Sequence, residues 1–109
     1  MQPRPEDKKI AEQLAQRLIA EFQPKRIVWF GSRSRGEGGP DSDWDVMVIA
    51  ESAASQHGRI VDALRVTRDV HVPADIVVFT PSERDKLAQW KSSIVYSAEQ
   101  TGVVLYEAA

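Results

Sequence analysis

The sequence predicts an α/β (α+β) domain in which helices pack against a small mixed sheet. Three observations predict it. Apolar residues recur at helical spacing in three stretches, four short apolar runs separate those stretches, and the order is α-β-(loop)-β-α-β-α-β. At 109 residues there is room for one domain, spanning 1–109, that buries somewhat more than about 60% of its unfolded surface.

The elements follow in order. Pro3 and Pro5 precede Ile10, Leu14, Leu18 and Phe22, one apolar residue every four, so a one-faced helix is expected over roughly 5–22, ended by Pro24. Arg26–Phe30 is a short β-rich run that stops at Gly31-Ser32. Residues 31–43 hold four of the six glycines and a proline, and their middle is a loop. Trp44–Ile49 is apolar apart from Asp45 and reads as a second strand. Ile60, Val61 and Leu64 suggest a helix over 53–68, and Asp75–Phe79 forms a third strand between two prolines. Thr80-Pro81-Ser82-Glu83 reads as a helix start, with Thr80 as cap and Glu83 completing a capping box. Leu87, Trp90, Ile94 and Val95 continue a helical face with a break near Lys91-Ser92, and Trp90 is expected to anchor it. Gly102 ends this face, and Val103–Tyr106 is a last strand.

Composition removes several function classes. Fourteen Lys and Arg against sixteen Asp and Glu give a net charge of −2, which argues against nucleic acid or a membrane surface as a direct partner. The absence of cysteine excludes disulfides, thiolate zinc sites, iron–sulfur clusters and thiol catalysis. His57 and His71 are too isolated to suggest a histidine metal site and read as a helix-surface and a loop residue. No apolar run is long enough to span a membrane, MQPRPEDKK has no apolar stretch for a signal peptide, and a cytoplasmic location is expected.

The chemistry concentrates in the acids. Asp43 and Asp45 are two apart at the start of an apolar strand, so their side chains leave one face of the sheet. Carboxylates held side by side repel, and a divalent cation with a preference for hard oxygen ligands, magnesium or manganese, compensates them. Asp75 opens another apolar strand and joins the pair if the two strands are neighbours; three such acids suffice for two metal ions. Gly31 permits close backbone approach to a ligand, and Ser32 with the following residues suggests a phosphate cradle at the start of a short helix, with Arg33 and Arg35 adding charge-assisted contacts. Ordinary readings compete. A lone D-x-D is usually solvated, Arg33 and Arg35 are plausible loop charges, and Trp44 points opposite the acids, toward core packing. A calcium loop from Asp41 fails at Val46 and Ser52, and a P-loop from Gly31 to Gly36 fails at Glu37.

Gly31-Ser32, ten intervening residues and Asp43-Trp44-Asp45 resemble the G-S-x10-D-x-D signature of the DNA polymerase β-like nucleotidyltransferase superfamily. The stretch FGSRSRGEGGPDSDWDVMV, a later ADIVVF carrying Asp75, and GVVLYE resemble its minimal nucleotidyltransferase branch. The resemblance implies the nucleotidyltransferase fold, with Asp43, Asp45 and Asp75 as magnesium (or manganese) ligands, Asp75 also as candidate general base, and Gly31 and Ser32 at the β and γ phosphates. It further implies transfer of AMP from ATP to a hydroxyl, in short members to a tyrosine of a HEPN-type ribonuclease toxin, which would make the chain an antitoxin. Two other readings stay open: a contact-only binding antitoxin, and a homodimeric small-molecule nucleotidyltransferase.

Overall fold

The computed structural model describes residues 2–109. Helix α1 (Pro5–Phe22) leads into strand β1 (Arg26–Phe30), a single 3-10 turn (Arg33–Arg35), β2 (Trp44–Ile49), α2 (Gln56–Thr67), a second 3-10 turn (Arg68–Val70), β3 (Ala74–Phe79), α3 (Pro81–Leu87), α4 (Ile94–Thr101) and β4 (Val103–Glu107). The sheet order is β3-β2-β1-β4. Strand β1 is antiparallel to both β2 and β4, whereas β2 and β3 run parallel, as their connection through α2 allows. The sheet is therefore mixed, as expected.

Its two faces bury different helices. Trp29, Trp44, Val46, Val48, Ile76 and Val78 pack with Ala11, Leu14 and Leu18 of α1 and Ala63 of α2. Val28, Met47, Ile49 and Phe79 pack with Val95 and Ala98 of α4. The alternation along β2 sends Trp44, Val46 and Val48 to the first face, and Asp45, Met47 and Ile49 to the second. Among the described residues, no helix is long and apolar enough to cross a membrane.

The local signals hold at most termini. Thr80 caps α3 through Glu83 N–H while the Glu83 carboxylate accepts from Thr80 N–H, the reciprocal box expected from the sequence. Helix α2 starts later than expected because Ser55 caps it by accepting from Gly58 N–H. Its buried face is also not the expected one: Arg59, Ala63 and Thr67 point inward, while Val61 and Leu64 are exposed. The break near Lys91-Ser92 is real and separates α3 from α4, with Ser93 capping the latter. Trp90 lies in that break and is 65% exposed, so it is not the helix-face anchor expected.

These assignments separate in a stability measurement. Leu14→Ala removes a fully buried side chain and should lower the urea-unfolding free energy by about 2–5 kcal/mol. Leu64→Ala, on the exposed side of α2, should change it by no more than about 0.5 kcal/mol.

Candidate functional site

The parallel pairing of β2 and β3 places Asp45 directly beside Asp75. Paired residues on adjacent strands point to the same face, so both carboxylates emerge on the side that α3 and α4 cover further along. Asp43 immediately precedes β2. Burial, then the negative charges of Asp75 and Asp43, hold the Asp45 carboxyl above the usual carboxylate range, while Arg35 pulls it the other way. The three acids and Arg35 thus share one electrostatic neighbourhood. Asp43 and Asp75 are exposed and Asp45 is half-buried.

The turn after β1 closes onto the same edge. Gly31 has φ +83°, and a Cβ there would collide with the Asp45 carboxylate. Glycine is required twice over, by the left-handed backbone and by the approach of the acid. Ser32 opens the 3-10 turn. Its hydroxyl faces the loop at Gly38 (φ +90°), where a Cβ would lie 2.9 Å from both Ser32 Oγ and Ser42 Oγ. The amides of Arg35 and Glu37 donate to the Ser32 carbonyl, and that of Gly36 to the Arg33 carbonyl, so these three serve the turn and are not offered to a phosphate. A backbone cradle narrows to the positions ahead of them.

The two arginines part company. Arg35 stays partly exposed, 3.6 Å from Glu37 and within the field of Asp45. Arg33 departs from the expected phosphate contact. It is buried on the opposite side of the strand, with its guanidinium 3.8 Å from the centre of the Trp44 ring. Its Nε–H donates to the Ser42 carbonyl, Nη1 to Asp7 Oδ1, and Nη2 to the Gly39 and Pro40 carbonyls. A cation so fully engaged is unavailable to a nucleotide. Asp7 carries no mark of this role in the sequence; it is one of two acids in the first turn of α1, where such residues commonly serve the helix dipole. Nothing local marks a pair separated by 26 residues. Trp44 takes the expected core position and donates its indole N–H to the Asp7 carbonyl.

Among the described residues, no three His, Asp or Glu side chains stand as a ready-made metal-ligand group, so the acids share an edge without converging on a point. The donor set still fits a divalent cation in kind. Carboxylate oxygens are the ligands magnesium and manganese select, and the negative charges of Asp75 and Asp43, which add to burial in raising the Asp45 pKa, are what such an ion relieves.

A pH dependence follows from Asp45. A carboxyl whose folded pKa is raised binds more protons folded than unfolded between the two values, so stability falls as pH rises through that window. Without metal, Asp45→Asn should therefore raise Tm at pH 7. The gain should shrink on acidification and vanish once the wild-type carboxyl is protonated in both states, below about pH 3.9. Gly31→Ala should do the reverse, lowering Tm by displacing Asp45 and straining the turn. Thermal melts across pH check both.

A search of the curated proteins gives no match. Solved structures share the fold. A proposed nucleotidyltransferase from Sulfolobus solfataricus superposes with TM-score 0.55 at 17% identity, covering 91% of this chain and 78% of that one. A toxin-antitoxin MntA-HpeT mutant gives TM-score 0.58 at 18% identity, covering 94% of this chain and 73% of that one. The family described as nucleotidyltransferase domain matches residues 8–101, from the first turns of α1 to the end of α4 and across the whole acid edge, and the chain belongs to that family.

Proposed function

We propose that this domain transfers AMP from ATP to a hydroxyl of a partner protein, a tyrosine of a HEPN-type toxin, and so acts as its antitoxin. The observation that carries the reading is the pairing of β2 with both neighbours, which sets Asp45 abreast of Asp75 on one side and against Gly31 of the Gly31-Ser32 turn on the other. Family membership supports nucleotidyl transfer. The partner rests on the fold shared with MntA-HpeT and on the resemblance to minimal nucleotidyltransferases.

Asp43, Asp45 and Asp75 would hold magnesium or manganese, which when bound neutralises charge developing on the phosphoryl oxygens. The Gly31-Ser32 turn receives the β and γ phosphates, with Arg35 adding positive charge at the same edge. The acceptor oxygen attacks the α-phosphorus. A bond forms between that oxygen and phosphorus, the bond from phosphorus to the bridging oxygen breaks, and pyrophosphate leaves with the electron pair. Asp75, exposed at the strand end, takes the acceptor's proton on a carboxylate oxygen. Much of the catalysis is alignment of groups that are individually unremarkable.

One observation favours contact-only neutralisation as a second reading: Trp90 and Ile94, four residues apart, expose 65% and 48% of their surfaces. The two readings separate with α-labelled ATP, magnesium and a HEPN-type toxin as acceptor. Label should appear on the toxin, and EDTA should abolish it. Asp43→Asn should reduce it by more than about 100-fold, beyond the loss usual for a residue that merely supports a metal ligand. Toxin neutralisation without label, surviving Asp43→Ala/Asp45→Ala, would replace transfer with contact.

A further inference from the structure

We infer that Arg33 is the positioning residue for Asp43, an inference that builds on the reading of the acid edge just given. Asp43 lies in the chain between two residues that Arg33 grips. On one side, Arg33 Nε–H donates to the Ser42 carbonyl at 2.7 Å. On the other, the guanidinium stacks on the Trp44 ring at 3.8 Å. A single rigid planar group therefore holds the peptide before Asp43 and the side chain after it.

The rest of that group is tied to fixed points. Nη1 donates to Asp7 Oδ1 at 3.0 Å, and Nη2 donates to the Gly39 and Pro40 carbonyls at 3.1 Å each. Asp7 in turn holds Trp44, whose indole N–H donates to the Asp7 carbonyl at 3.1 Å. The Trp44 amide donates to the Pro73 carbonyl at 3.0 Å, two residues before Asp75. Direct contacts thus run from the first turn of α1 to the backbone flanking the acids on both strands. The Arg33 and Asp7 side chains are 8% and 6% exposed, so these bonds act in a water-poor environment that penalises poor geometry.

The chemistry asks for arginine. Lysine has a point charge and no planar fork, and cannot stack on an indole while reaching carbonyls in two directions and a carboxylate in a third. The fold also supplies its own control. Arg59 is as deeply buried, and it donates to the Ala54 and Val78 carbonyls and to Glu83, none of which flanks an acid of the cluster. A role confined to stability would make Arg33 and Arg59 equivalent.

The test compares wild type, Arg33→Lys and Arg59→Lys as full chains, with Mn2+ alone as probe in titration calorimetry and amide exchange followed over residues 40–45. Both variants should melt lower. Arg33→Lys should weaken Mn2+ binding by about 10–100-fold, the loss typical of removing a group that orients a metal ligand, and should speed exchange at Ser42 and Trp44, whose amides donate to the Gly39 and Pro73 carbonyls. Arg59→Lys should change neither. A folded Arg33→Lys with wild-type Mn2+ affinity overturns the inference, as does an equal loss in both variants. Should Arg33→Lys fail to fold, Asp7→Asn keeps an oxygen for Nη1 and loosens the clamp more gently; unchanged affinity and exchange in that variant would overturn it equally. If wild type itself neither binds Mn2+ nor transfers label, the proposed function falls. Exchange then decides the positioning role: faster at 40–45 in Arg33→Lys alone upholds it, and equal rates reject it.

Discussion

Holding Asp45 abreast of Asp75 is the constraint around which this fold is arranged. Two carboxylates in register on adjacent parallel strands repel, and the Asp45 carboxyl is held above its usual range first by partial burial and then by that repulsion. Nothing at the site itself offsets the cost in full, since Arg35 opposes it only in part. The offset comes from further along the same strands. Val46, Met47 and Val48 on β2, and Ile76 and Val78 on β3, are essentially fully buried, and each contributes on the order of 1.5–3 kcal/mol by leaving water. The apolar strand bodies fix the register, and the register forces the acids together at the ends.

The two buried arginines divide the supporting work. Arg59 joins the start of α2, the end of β3 and the first turn of α3 through the Ala54 and Val78 carbonyls and the Glu83 carboxylate. Arg33 joins α1, the glycine-rich loop and the start of β2. In each case an arginine gathers backbone carbonyls that have no strand or helix partner, and so stabilises irregular chain without regular secondary structure. Desolvating such a cation is expensive unless it is fully engaged, and breaking a buried pair by deleting one partner costs about 3–5 kcal/mol. The Asp7–Arg33 pair therefore also restricts how far the loop strays from the acids.

Much was legible in the residues themselves. The helix over 5–22, the four strands, the Thr80–Glu83 capping box and the break before Ser93 are written in short-range periodicity and hydrogen-bonding preference, and the structure reproduces them. Asp43, Asp45, Asp75 and the Gly31-Ser32 turn could be singled out because acids opening apolar strands, and a glycine closing one, violate the local pattern. The errors fall where a residue has two faces to choose from. Val61 and Leu64 satisfied helical spacing but lie on the side of α2 turned from α1 and the sheet, while Arg59 occupies the buried side because Glu83 and two carbonyls satisfy it there.

What the linear order determined, then, was the inventory: which segments are extended or helical, and which side chains are out of keeping with them. Only tertiary structure decided who meets whom. That Asp75 lies beside Asp45 follows from α2 returning β3 parallel to β2, and that Arg33 turns inward to Asp7 and Trp44 follows from the start of α1 lying against the loop. Charge and hydrogen bonding act through space with no memory of sequence separation, so a residue's partner, and hence its role, exists only once the chain has closed on itself.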